Sequence, residues 1–160
     1  MWLLGIIVGA IGFRLRGDAI FQEITGRGAT TARIACWAIP MGLLSLSTVP
    51  WWASVWVTVG FFLGAVLGWY GSLDLGRREG DPVKDRLIMV ARGLVWTIFP
   101  ALVVWQFDVG NAIALMIVGL ACPLFYELGY RTPSKIPYLR QGPEVGEVLF
   151  GAAIGLALTL

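Results

Sequence analysis

Apolar and polar positions along this chain fall into blocks, with six apolar runs separated by five short polar breaks. The runs predict helices over residues 1–13, 31–47, 50–73, 82–105, 111–130 and 142–160. Several boundaries carry their own chemistry. Asp81 followed by Pro82 is an N-cap with proline at the first helical position, and Gly142-Pro143-Glu144 opens the last helix. Pro40, Pro100 and Pro123 fall inside the second, fourth and fifth runs; Pro40 should kink its helix and release a backbone carbonyl, and Pro40 and Pro100, at matched depth, read first as packing kinks and second as gate hinges. In the first break, Asp18 and Gly26 bracket a stretch whose Ile20, Phe21 and Ile24 share one face. That stretch reads equally as a short helix lying on a membrane interface or as a loop tucked against the bundle.

The third run carries Trp51, Trp52 and Trp56 at its start, as a helix does where it leaves a bilayer. Gly60, Gly64, Gly68 and Gly71 then form a small-residue stripe, suited first to close helix contact and second to lining a pore. The first run, at 13 residues, spans only about 20 Å against a hydrocarbon layer of about 30 Å. It must continue past Arg14 and Arg16 with those side chains reaching outward, or the bilayer must thin.

Composition makes the bilayer the solvent. Of 160 residues, 58% are hydrophobic and 14% charged, whereas a soluble domain carries about 25% charge. The apolar surplus is too large to hide inside one small globule. The net charge of +2 matters less than its placement. All 12 Lys and Arg lie in three clusters: Arg14, Arg16, Arg27 and Arg33; Arg77, Arg78, Lys84, Arg86 and Arg92; and Arg131, Lys135 and Arg140. The breaks near residues 47–50 and 108–111 hold none. Positive charge stays inside, so the clusters are assigned to the cytoplasm and both termini to the outside. The first helix is read as inserted N-out and uncleaved, because its arginines follow the apolar run instead of preceding it. The expectation is an all-α, polytopic protein of the inner (cytoplasmic) membrane: one integral domain with six transmembrane helices.

Two hairpins repeat, over residues 31–78 and 86–131. Ala32, Arg33, Trp37 and Ile39 match Ala91, Arg92, Trp96 and Ile98, and Pro40 matches Pro100 after one inserted residue. At the far ends, Asp74-Leu75-Gly76-Arg77-Arg78 matches Glu127-Leu128-Gly129-Tyr130-Arg131. Both copies begin and end on one side, which makes the repeat parallel. A weaker third copy pairs helices 1–14 and 143–160 without a covalent turn, giving a pseudo-threefold ring. In it Gly12-Phe13-Arg14 echoes the closing motif, and Gly146-Glu147 stands in the place of Ala32-Arg33.

The candidate site lies at the charged ends. Arg14, Arg33, Arg78, Arg92 and Arg131 form a basic ring, read either as topology signal or as a site for lipid headgroups, a phosphate-bearing ligand or an acidic partner. Asp74, Glu127 and Glu147 are its counter-charges. Asp74/Arg78 and Glu127/Arg131 are i, i+4 pairs in the favourable orientation. Arg33 and Arg92 should reach Asp74 or Glu127 across helices, and Glu147 should reach Arg14 or Arg16, because an ionisable group at that depth is costly alone.

The chain has no histidine, and its two cysteines, Cys36 and Cys122, lie at different depths. A metal centre, a haem attachment or a disulfide framework therefore finds no support. Neither a nucleophile elbow, a phosphate-binding loop nor a dinucleotide fingerprint occurs. No cofactor is expected, and nucleic acid is unsupported because no aromatic platform alternates with the basic residues. Three functions fit, in descending order: a pore or transport component acting as an oligomer; a membrane scaffold or assembly subunit docking a partner or anionic lipid; and a lipid-modifying enzyme using Asp74 or Glu127.

Overall fold

The computed structural model describes residues 1–16, 27–75, 82–131 and 142–160; within these, the side chains at 15–16, 27–33, 68–75, 82–85, 130 and 142–144 are not described. The described residues are all helical, without strands, in seven helices: α1 (Trp2–Arg16), α2 (Arg27–Ser45), α3 (Trp51–Leu75), α4 (Pro82–Val104), α5 (Val109–Leu120), α6 (Cys122–Arg131) and α7 (Gly142–Ala157). The expected short helix over 18–26 and the basic segments over 76–81 and 132–141 lie outside the described residues.

The seventh helix comes from the fifth apolar run. It breaks at Ala121 into α5 and α6, which meet at a bend of 53°. Pro123 has no N–H to continue the ladder, and its ring crowds the carbonyl of Gly119. Pro40 and Pro100, by contrast, stay inside continuous helices.

Among the described residues, only the apolar stretch Arg86–Val104 of α4 is long enough by itself to cross a membrane. The bent pair Val109–Leu120 and Cys122–Gly129 adds one more if it counts as one span. The apolar stretches Trp2–Arg14, Ile34–Ser45, Trp51–Leu67 and Val145–Ala157 are shorter. Six spans therefore do not follow from helix length alone. For α3 the helix itself runs 25 residues, about 37 Å, and side-chain description ends before it does.

Neighbouring helices follow in a circle: α1 on α2, α2 on α3, α3 on α4, α4 on α5 and α6, α6 on α7, and α7 back on α1. The α1–α7 pair is antiparallel, with Gly5 beside Gly155, Gly9 beside Gly151, and Phe13 against Phe150. Glycine sits at every one of these contacts. A methyl group on Gly5, Gly9, Gly151 or Gly155 would strike the facing backbone carbonyl, and one on Gly60 or Gly64 would strike α4 between Val95 and Pro100. Gly93 and Gly119 pack backbone to backbone between α4 and α5, Gly42 lies against Thr58, Gly12 against Trp37, and Gly146 against Tyr126. The part of the α3 stripe described to side-chain level, Gly60 and Gly64, thus serves packing. Removing the side chain lets two helix axes approach until backbones touch.

One end of the bundle gathers the α2–α3 turn, the α4–α5 turn and the C-terminus. Helix ends leave carbonyls without intrahelical partners, and hydroxyl and amide side chains take them up here. Ser45 Oγ and Ser54 Oγ donate to the Gly42 carbonyl at 2.6 and 2.5 Å. Asn111 Nδ2 and Ser47 Oγ, from two different turns, both approach the Leu158 carbonyl at 3.4 and 3.5 Å. Asp108 caps α5 by accepting from the Asn111 N–H at 3.0 Å. Asn111 is buried and ties the α4–α5 turn to the last turn of the chain. Asn111→Ala should lower stability by about 1 kcal/mol, the net worth of one such hydrogen bond, read as an earlier thermal transition of the detergent-solubilised chain.

Candidate functional site

The charged residues locate the other end. Arg14 and Arg16 end α1, α2 starts at Arg27, α4 starts at Pro82, α6 ends at Arg131, and α7 starts at Gly142. Asp108 is the one charged side chain belonging to the turns of the opposite end. The opposite end carries exposed aromatic groups instead: Trp51, Trp52, Trp56, Trp105 and Phe107, with Trp52 edge-on to Phe107 at 5.3 Å. The molecule thus has a charged pole and an aromatic pole.

Between the poles the axis is filled by rings. Phe13, Trp37 and Trp96 form a triangle with centroid separations of 5.2, 5.3 and 5.0 Å, every pair edge-to-face. Phe61 joins Trp37 at 4.9 Å, and Phe150 joins Phe13 at 5.3 Å and Phe125 at 6.0 Å. Each of α1, α2, α3, α4, α6 and α7 contributes one ring. Edge-to-face contact places the positive ring edge on the negative face of the next. Trp37 is fully buried, and its Nε1–H has no hydrogen-bond partner. The other buried polar side chains all donate to backbone carbonyls. Thr97 donates to the Gly93 carbonyl at 3.1 Å and Thr159 to the Gly155 carbonyl at 3.0 Å.

The predicted site residues stand just on the charged side of this ring layer. Arg14 follows Phe13, Arg92 precedes Trp96 by one helical turn, and Glu147 precedes Phe150 by almost one turn. All three are half-buried. Arg33 occupies the matching position on α2, four residues before Trp37, and Asp74 lies near the end of α3; neither side chain is described, and Arg78 lies outside the described residues. Glu127 and Arg131 pair at 2.6 Å along α6. With side chains 40% and 75% exposed, that pair adds at most a few tenths of a kcal/mol.

Of the two cross-helix partners expected of Arg92, the Asp74 side chain is not described, and Glu127 does not pair with Arg92. Glu127 is taken by Arg131, four residues along its own helix, and the Arg92 guanidinium lies 3.9 Å from Met89 Sδ on its own helix, one turn toward the charged pole. The long side chain turns along the helix surface instead of crossing to a neighbour. Glu147 and Arg14 lie on adjacent antiparallel helices at the same level, and both are engaged by neighbours.

Among the described residues no group of carboxylates or cysteines could hold a metal ion, and Cys36 (exposed) and Cys122 (buried) are free thiols. Sequence reasoning picked out the arginines but missed the ring layer under which they stand. A signal was present, since Arg33 and Arg92 each precede a tryptophan by four residues. It also missed the α1–α7 contact chemistry, although Gly5/Gly9 and Gly151/Gly155 both show small residues four apart. No protein-family model matches the chain, and neither a curated protein nor a solved structure shows significant similarity to it.

Proposed function

We propose that this chain is an integral membrane protein that crosses the bilayer six times, with α5 and α6 forming one bent span. Its charged pole faces the cytoplasm and both termini face the opposite side. The observation that carries this reading is an inversion of the usual helix pattern. Glycines stand where helix backbones touch, and besides the buried rings the chain turns large apolar groups outward: Leu4, Ile7 and Ile11 on α1, Leu63 and Leu67 on α3, Ile113 and Ile117 on α5. In water such faces would associate; in lipid they are solvated, and close backbone packing replaces the hydrophobic drive between helices. Two aromatic-rich turns at one pole and basic segments at the other agree with the same orientation.

Within that frame we read the protein as a docking or assembly subunit, whose basic cytoplasmic segments engage a soluble partner or anionic lipid. The filled axis supports this over conduction through a single copy: an ion path needs polar groups facing a lumen, and the described buried hydroxyls are spent on backbone carbonyls. Transport would require a path between copies. The circular order of helices also supports reading the chain as three hairpin units, with the α1–α7 pair as the unit that lacks its turn.

Orientation is tested with single cysteines at Arg27, Lys84 and Lys135 in a background lacking Cys36 and Cys122. All three should react with a membrane-impermeant maleimide from the cytoplasmic face of inverted vesicles and none from the outside of intact cells. Labelling on opposite faces removes the reading. For docking, charge reversal at Arg77, Arg78 and Lys84 should abolish co-purification of a bound partner, and ion leak through reconstituted liposomes would return the assignment to transport.

A further inference from the structure

We propose that the half-buried guanidinium of Arg92, set one turn below the Phe13–Trp37–Trp96 ring layer on its charged side, binds a phosphate-bearing anion. The proposal rests on the orientation reading above only for its lipid source; the binding chemistry needs no membrane.

Position comes first. Arg92 lies inside the apolar stretch Arg86–Val104, six residues from its charged-pole end, about 9 Å along the helix. Ionisable groups at such depth pair with an opposite charge, reach outward, or serve a ligand. Arg92 has no acidic partner among the described side chains: of the two carboxylates expected for it, Glu127 is held by Arg131 and the Asp74 side chain is not described, and its contact is the thioether of Met89. That contact lies toward the charged pole, so the guanidinium is directed out of the apolar layer and toward the place where a phosphate would stand.

Surroundings come next. The ring layer closes the site from behind, since Trp96 is buried one turn deeper and in contact with Phe13 and Trp37. Arg14 stands at the same level on α1, and position 33 repeats the arrangement on α2, four residues before Trp37. Two described acids stand near this level, Glu147 and Glu127; Glu147 is already engaged and Glu127 is held by Arg131, so neither neutralises Arg92. A guanidinium whose water is partly removed favours a compact, doubly accepting oxyanion, and the planar fork matches phosphate oxygens. A phosphodiester headgroup of an anionic lipid and a free phosphate both present that group.

The test uses the full chain in a neutral detergent, titrated separately with dihexanoyl-phosphatidylglycerol, dihexanoyl-phosphatidylcholine and inorganic phosphate, and read by tryptophan emission and by thermal shift. Saturable binding of the glycerol lipid but not the choline lipid identifies a headgroup site. Saturable binding of inorganic phosphate, competing with the lipid, identifies a free-anion site. In either case Arg92→Gln should weaken binding by about tenfold or more, as loss of one charge-assisted contact does. Arg92→Lys should weaken it less, and Arg86→Gln, at an exposed position one and a half turns away on the same helix, should change it less than about twofold. Equal response to both lipids with none to phosphate overturns the proposal using the wild type alone. Equal loss in the Arg86 and Arg92 variants, or unchanged binding without Arg92, also overturns it. Because the titration is done in detergent, failure of the orientation reading would leave these outcomes untouched.

Discussion

Trp37→Ala is expected to destabilise the protein by about 4 kcal/mol, within the range for truncating a buried large aromatic group. Trp37 is fully buried and touches Phe13, Phe61 and Trp96 edge-on at 4.9 to 5.2 Å, so its removal leaves a cavity where four helices meet. Dispersion contacts made by three other rings lose a partner at once. In a lipid environment the transfer term between interior and solvent is small, and the cavity term supplies most of the cost. Trp37→Phe separates the ring from its donor. It keeps much of the volume and removes a buried N–H that has no partner, so the cost should stay below about 1.5 kcal/mol. Thermal unfolding in detergent, followed by loss of near-ultraviolet dichroism, reads both. A Phe variant as damaging as the Ala variant would mean that the indole N–H carries the stability.

The second large effect lies at the α1–α7 contact. A methyl on Gly155 would strike the Gly5 carbonyl, oxygen and carbon alike, both backbone atoms that no rotamer change can move. Gly155→Leu must push the helices apart, so a loss of about 3 kcal/mol, at the upper end of overpacking costs, is expected. Even Gly155→Ala should be clearly harmful, which is unusual for a helix position where alanine has the better intrinsic propensity. Gly110 provides the control. It is exposed at the start of α5, and a methyl there meets only Asp108 Oδ1, at 3.3 Å. Gly110→Ala should therefore leave the transition within about 0.5 kcal/mol. Equal effects at Gly155 and Gly110 would remove close backbone approach as the glue of this pair. Because α1 and α7 have no connecting turn between them, this contact alone joins the two ends of the chain along their length, so its loss should also expose the termini to proteolysis.

Local chemistry made part of this molecule readable without coordinates. Continuous apolar runs specified helices, Pro82 fixed the start of α4, and the separation of basic clusters from basic-free turns divided the molecule into two poles. Such features depend on a residue and its near neighbours, which is the information a sequence carries directly. Pro123 shows the limit: like Pro40 and Pro100 it was visible inside an apolar run, yet its helix broke while the other two did not. How far a proline bends its helix depends on whether packed neighbours hold the two halves in line.

Tertiary structure alone decided which groups met. It brought Phe13, Trp37 and Trp96 from three separate helices into one triangle and set Asn111 and Ser47 on the same Leu158 carbonyl. These partnerships join residues distant in the chain. They follow from the depth and rotation at which each helix stands once glycine lets the backbones close, and a linear pattern of apolar and charged positions does not encode that rotation.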